Sequence, residues 1–272
     1  MAAIGRMKVG LVGCGNIGAD LCIALQKGDI PAEIVALTDI EEARARLLVK
    51  TFHLNAVVCE LDQNAAQVDL MVECADSSAV KDVVEAAIRH KRDCLILSVG
   101  GLMDHPDLME RARENRIQIR VPSGALCGLD GIRAATEAGL HTVMLTTRKP
   151  PKGLAGAPYL EEHRIDLDTL TEPTVIFEGT AREACKAFPK NVNVAAALSF
   201  AGIGPAQTRV RIIADPYATV NTHEIVAEGA FGKLRTVIEN LPSPRNAKSS
   251  YLASLSCVAE LRAAAEAFSV RN

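Results

Sequence analysis

Lys8–Leu25 reads KVGLVGCGNIGADLCIAL, and the fold of the first half of the chain turns on this stretch. An apolar run is followed by glycines at 13, 15 and 18 and then by a helical pattern. A G-x-G-x-x-G loop carries weight only between a strand and a helix, with an acid about 20 residues further on. Lys8–Val12 reads as the strand, Ile17–Gln26 as the helix, and Asp39 as the acid closing a second strand, Glu33–Thr38. In such a loop Gly13 permits the tight turn, Gly15 lets backbone approach a pyrophosphate, and Gly18 allows close helix–strand packing. The N–H groups of Asn16, Ile17 and Gly18 then face the phosphates at the positive end of the helix dipole. Asp39 is placed to accept the hydroxyls of an adenosine ribose and to repel a 2′-phosphate, so NAD is favoured over NADP. Arg44 and Arg46 follow on the next helix and leave NADP open.

Outward from this loop, strands and helices alternate. Strands are expected at Ala56–Val58, Asp69–Cys74, Cys94–Val99 and Gln118–Val121, and helices at Glu41–Phe52, Ser78–His90 and Pro106–Asn115. This alternation predicts a doubly wound parallel sheet covered on both faces. Its ligand-facing strand ends carry Ala75 and Ser98, further candidate cofactor contacts. After Pro122 the pattern changes. Strands are expected at His141–Thr147, Thr174–Glu178, Thr208–Ala214, Val220–Glu228 and Leu234–Glu239, with helices at Ala181–Phe188 and Val192–Phe200. That predicts an α+β domain with a mostly antiparallel sheet. Lys149–Pro158 is rich in Pro and Gly and reads as a loop. Ser249–Phe268 reads as an amphipathic helix with Leu252, Leu255, Val258, Leu261 and Ala265 on one stripe. The expected domains are 1–122 with 247–272, and 123–246.

Composition bounds the function. The 272 residues are 49% hydrophobic, without tryptophan, and the formal net charge is −3. No basic block points to nucleic acid or an anionic membrane, and no apolar run reaches the length of a membrane span. No signal peptide is recognised, and the expectation is a cytoplasmic protein. The eight cysteines form neither a CxxC pair nor a cluster with zinc spacing, so no metal site is expected and most of the thiols are expected in the core.

The second half brings candidate chemistry. His223, in VNTHEIVAEGAFG, can give or take a proton near neutral pH. Lys190, Asn191 and Asn193 crowd the start of an apolar helix, where they serve either as caps or as an anion or cofactor-amide site. Arg148 and Lys149 stand at a strand end, either as surface charge or as partners of a carboxylate, for which a guanidinium is well shaped. Cys127 near a helix start raises the reading of an acylating dehydrogenase with a Cys/His pair.

Taken together, GLVGCGNIGADL, LMVECADSSAV, LILSVGGL, VPSGAL, TTRKPP, VIFEGTAREACKAFPKNVNVAAALSFAGIG, RVRIIADP, NTHEIVAEGAFG and NAKSSYLA resemble the L-aspartate dehydrogenase family over nearly the whole chain. The resemblance implies an NAD(P)-dependent oxidation of L-aspartate to iminoaspartate, which hydrolyses to oxaloacetate and ammonia or feeds NAD biosynthesis. It implies an active-site histidine at His223 and cofactor contacts at Ala125 and Asn193. It also implies a Rossmann domain, an α+β catalytic domain, a C-terminal helix returning to the first domain, and a homodimer. Arg148 and Lys190 are the candidates for binding the dicarboxylic amino acid. Rival readings are a homoserine- or semialdehyde-type dehydrogenase and a catalytically silent dinucleotide sensor.

Overall fold

The computed structural model describes residues 5–189 and 193–271, with backbone alone at 247, 248 and 271. The chain divides into two compact units, 1–122 with 254–272, and 123–253.

The first unit is built on a parallel sheet of β1 (Met7–Val12), β2 (Ala32–Thr38), β3 (Val57–Val58), β4 (Leu70–Glu73), β5 (Asp93–Ile96) and β6 (Ile119–Arg120). The spatial order is β3-β2-β1-β4-β5-β6. That order reverses between β1 and β4, which opens a crevice at their carboxyl ends, the position where doubly wound sheets bind dinucleotides. β1 and β4 are nearly continuous apolar runs because helices cover both faces. The helix Leu61–Gln67 is absent from the sequence expectation. Its LDQNAAQ sequence has no apolar stripe, and it is held instead by buried Asn64, whose amide donates to Leu11 O at 3.1 Å and Thr38 Oγ1 at 3.0 Å.

The last helix, Tyr251–Arg271, belongs to the first unit from Ser254 onward. Cys257, Leu261, Ala264 and Ala265 enter the same core cluster as Val9, Leu11, Leu21 and Leu25. Arg262 grips Asp29 through both its carbonyl and its carboxylate, at 2.9 and 2.8 Å. Leu255, expected on the buried stripe, is 44% exposed. The buried stripe runs through 257, 261 and 264–265, so Leu255 falls on the outer side of the helix.

The second unit contains β7 (Leu140–Lys149), β8 (Thr174–Thr180), β9 (Arg209–Ala214), β10 (Asn221–Gly229) and β11 (Gly232–Asn240) in the order β11-β10-β7-β9-β8. The sheet is mixed: β7 and β9 run parallel, and the other neighbouring pairs are antiparallel. β7 is longer than its sequence predicts. Arg-Lys-Pro is poor strand material, but Arg148 pairs with Thr222 and Ile213, and Lys149 with Ala214. Tertiary pairing therefore carries the strand to Lys149. A short hairpin follows, β12 (Pro242–Ser243) and β13 (Asn246–Ser250).

All eight cysteines are free. Cys14, Cys22, Cys74, Cys94 and Cys257 are buried, and all five lie in the first unit. Among the described residues no helix is long and apolar enough to cross a membrane, and no group of side chains is arranged to hold a metal ion.

Candidate functional site

In the first unit the glycine loop has the shape of a phosphate cradle. Gly13 adopts φ +97°, and a Cβ there would lie 2.5 Å from Ala75 N, so both conformation and space exclude any side chain. Gly18 sits 3.0 Å under Gly13 O by the same measure, which allows the helix to pack against the loop. At Gly15 a Cβ would meet nothing within 4 Å. Open space above a helix N-terminus with no side-chain cap is what a pyrophosphate needs to approach the N–H groups. Asn16 is exposed and Ile17 half-buried at this opening. The residues present therefore fit a dinucleotide.

Asp39 closes β2 beside the loop. Its Oδ2 accepts from Cys14 N at 2.7 Å and its Oδ1 from Glu41 N at 2.8 Å. These bonds fix the carboxylate next to the cradle while leaving lone pairs for further donors. Arg44 pairs with Glu41 at 2.7 Å, and Arg46 pairs with Glu42. Both arginines thus carry an acid on their own helix, which offsets the attraction they would offer to a 2′-phosphate.

Ala75 is exposed at the end of β4. Ser98 is buried, and its hydroxyl donates to Glu73 at 2.8 Å. Glu73 had no place among the sequence candidates. It is fully buried, and its carboxylate also accepts from Ala75 N (2.9 Å), Leu97 N (3.1 Å) and Ser98 N (2.8 Å). Burial pushes this carboxyl up to about 7, against the four donors that pull it down. Cys14 is held away from reaction: burial, with Asp39 beside it, pushes its thiol up to about 12.

In the second unit β7 and β10 bring three polar side chains onto one buried face. His223 is directly opposite Thr147 in the register, and its Nδ1 lies 3.0 Å from Thr147 Oγ1. Residues two apart share a strand face, so Lys149 lies on the side of Thr147. His223 is 3% exposed and Lys149 7%. Burial, helped by the Lys149 charge, pushes the His223 imidazole down to about 3, and burial pushes the Lys149 ammonium down to about 8. At neutral pH the pair is a neutral imidazole beside an ammonium.

Arg148 is placed otherwise. It faces the opposite side of β7 and pairs with Asp215 at 2.8 Å, so it does not join His223. Alternation along the strand is the reason: Lys149, not Arg148, shares the face of His223. Ala125 is buried, and its carbonyl accepts from buried Asn240 at 3.0 Å. Asn193 is exposed as the first residue of the helix Asn193–Ala201. Lys190 and Asn191 lie outside the described residues. Cys127, half-buried, accepts from Thr236 Oγ1 through its carbonyl at 3.2 Å.

A dinucleotide cradle in one unit and a buried imidazole–ammonium pair in the other define a nicotinamide-dependent oxidoreductase. Residues 130–264 match the family described as aspartate dehydrogenase, C-terminal, and residues 13–122 the family described as homoserine dehydrogenase, NAD binding domain. The chain is 47% identical over 260 residues to the L-aspartate dehydrogenase of Methanosarcina mazei, spanning 94% of this chain and 96% of that one, and it belongs to the L-aspartate dehydrogenase family. Similarity to the L-aspartate dehydrogenase of Bradyrhizobium diazoefficiens is 42% identity over 96% of this chain and 92% of that one. The crystal structure of aspartate dehydrogenase from Thermotoga maritima superposes with a TM-score of 0.74 at 27% identity, covering 95% of this chain and 97% of that one.

Proposed function

We propose that the chain oxidises L-aspartate to iminoaspartate with NAD as hydride acceptor, and that the imine hydrolyses to oxaloacetate and ammonia. The observation that carries this reading is the buried Thr147–His223–Lys149 face within the segment that matches the aspartate dehydrogenase family. When bound, NAD supplies the electrophilic nicotinamide C4. Gly13, Gly15, Asn16, Ile17, Gly18, Asp39, Ala75, Ser98, Ala125 and Asn193 are the proposed residues toward it.

The substrate is a dianion with an ammonium, and its carboxylates need compensating donors once out of water. Lys149 supplies one such charge. The α-ammonium must lose a proton before its lone pair can assist departure of hydride. With Nδ1–H donating to Thr147 Oγ1, the lone pair on His223 Nε2 accepts that proton. Burial, with the Lys149 charge, holds the imidazole a weak base, and the two arriving carboxylates raise its proton affinity. Once that proton has passed to solvent, the same nitrogen takes a proton from the water adding to the imine carbon and gives it to the departing amine.

Asp39 and the acid-paired arginines support a preference for NAD over NADP. Met144, Val226 and half-exposed Val237 lie on the sheet face opposite His223, which supports a homodimer, testable by light scattering. Eight free thiols fit the reducing cytoplasm. The test of the activity is absorbance at 340 nm with L-aspartate and NAD. Growth of that signal, with oxaloacetate and ammonia as products, supports the reading. Tight NADH binding without turnover of aspartate overturns it in favour of a sensor.

A further inference from the structure

We propose that Glu73 is a positioning residue of the dinucleotide site, which sets the backbone of the β4 and β5 turns beneath the second mononucleotide half. The inference rests on the dinucleotide-binding reading of the first unit. Its basis is the connectivity of one buried carboxylate. Oε1 accepts from Ala75 N, two residues along the same chain segment, and from Ser98 Oγ. Oε2 accepts from Leu97 N and Ser98 N at the end of β5. One side chain therefore joins the carboxyl ends of the two strands beside the topological switch point, where the ligand lies in this class of sheet.

The staple also reaches the glycine loop. Ala75, fixed by Glu73, is the residue whose backbone approaches the Cα of Gly13 so closely that no Cβ fits. Cys74, between them, donates its N–H to Val12 O at 2.8 Å and its thiol to Gly13 O at 2.9 Å. A shift of the Ala75 backbone thus moves the loop that cradles the phosphates. Sequence and packing alone do not demand a carboxylate here, since an apolar residue would suit a strand buried on all sides. Four donors converge on it because two turns must be held at a fixed distance.

The arrangement is linked to protonation. As an ionised acceptor Glu73 satisfies all four donors; on taking a proton it must give up at least one. The titratable groups around it are thiols: Cys74 beside it, Cys94 on β5 and Cys257 on the last helix, each feeling its charge, with Asp93 and Glu260 acting on the latter two. Burial holds all three thiols protonated, so Glu73 is the group that changes charge near neutral pH.

The experiment measures NADH affinity by nicotinamide fluorescence from pH 5.5 to 8.5, with the thermal midpoint recorded alongside. In the wild type, affinity is expected to fall as pH drops through about 7. Glu73→Gln places an amide N–H against at least one backbone N–H, so NADH affinity should fall about tenfold at pH 8 and lose its pH dependence. Ser98→Ala removes one bond to the ionised form and should move the midpoint of the pH profile upward, which keeps the proposal testable if Glu73→Gln does not fold. The proposal is overturned if the folded variants keep the wild-type affinity and pH profile, even where the thermal midpoint drops, since that is a structural role alone. Gly15→Val separates the two readings. If it abolishes NADH binding while the Glu73 and Ser98 variants bind as wild type, the dinucleotide site stands and the Glu73 role falls. If the wild type binds no NADH, both fall.

Discussion

Lys149→Met should make the protein more stable and much less active. An ordinary lysine titrates at 10.5 and this one at about 8, lowered by burial. At about 1.36 kcal/mol for each tenfold in proton affinity, the difference corresponds to about 3 kcal/mol. Between about pH 8 and 10.5 the native chain holds fewer protons than the unfolded one, so stability rises with pH across that window. Below it, the full cost of the buried charge is present. Methionine keeps most of the volume and removes the charge, so stability at pH 7 should rise by up to about 3 kcal/mol, with the midpoint of heat unfolding several degrees higher. The gain should vanish above pH 10.5. Activity should move the other way. Removing the cation that meets a buried substrate carboxylate costs about 2–5 kcal/mol, or roughly 30- to 5,000-fold in kcat/KM at 1.36 kcal/mol per decade. In the wild type, kcat/KM should decline as pH rises through about 8, where the ammonium loses its proton. The assays are calorimetry and the rate at 340 nm. A variant that turns over aspartate at the wild-type rate would refute the role given to Lys149. One that is also less stable would refute the electrostatic account of its burial.

His223→Ala should cut turnover about 10²–10⁴-fold, the usual range for general acid–base help, with NADH affinity nearly unchanged; wild-type turnover would reduce His223 to a structural residue. Asp39→Ala should weaken NAD binding and improve NADP relative to NAD, read from the two affinities. A wild type that strongly prefers NADP would show that Arg44 or Arg46 escapes its acidic partner. Cys127→Ser should retain most activity and trap no acyl group. A loss of about four orders of magnitude, as for removal of a covalent nucleophile, would revive the acylating mechanism.

What the sequence discloses about this chain depends on how local the signal is. The glycine loop, its following helix and Asp39 are read within some thirty residues, because turn geometry, strand and cap lie next to one another along the chain. His223 stands out as chemistry inside a recognisable block. Lys149 does not, for two reasons. Its strand runs past the point where propensity fails, carried by pairing with β9 and β10. A one-residue offset also decides which of two adjacent cations faces the imidazole. Guanidinium chemistry points to Arg148; the alternation of strand faces relative to His223 favours Lys149. Glu73 is the harder case. An acid closing an apolar strand looks like the polar edge of that strand, and three of its four donors lie on residues 97–98, about 25 positions away. The helix Leu61–Gln67 was illegible because one buried amide, not a stripe, holds it.

The distribution of thiols gives the protein an internal clock. Five buried cysteines belong to the first unit, and burial keeps their thiols protonated well above neutral pH, whereas thiolate is the reactive form. A thiol reagent can reach them only when the sheet that carries the glycine loop opens, while the half-buried Cys59, Cys127 and Cys185 are within easier reach. Labelling therefore proceeds in two sets. The rate of the slow set reports how often the dinucleotide-binding unit is open, and bound NADH should lengthen that interval the more tightly it is held.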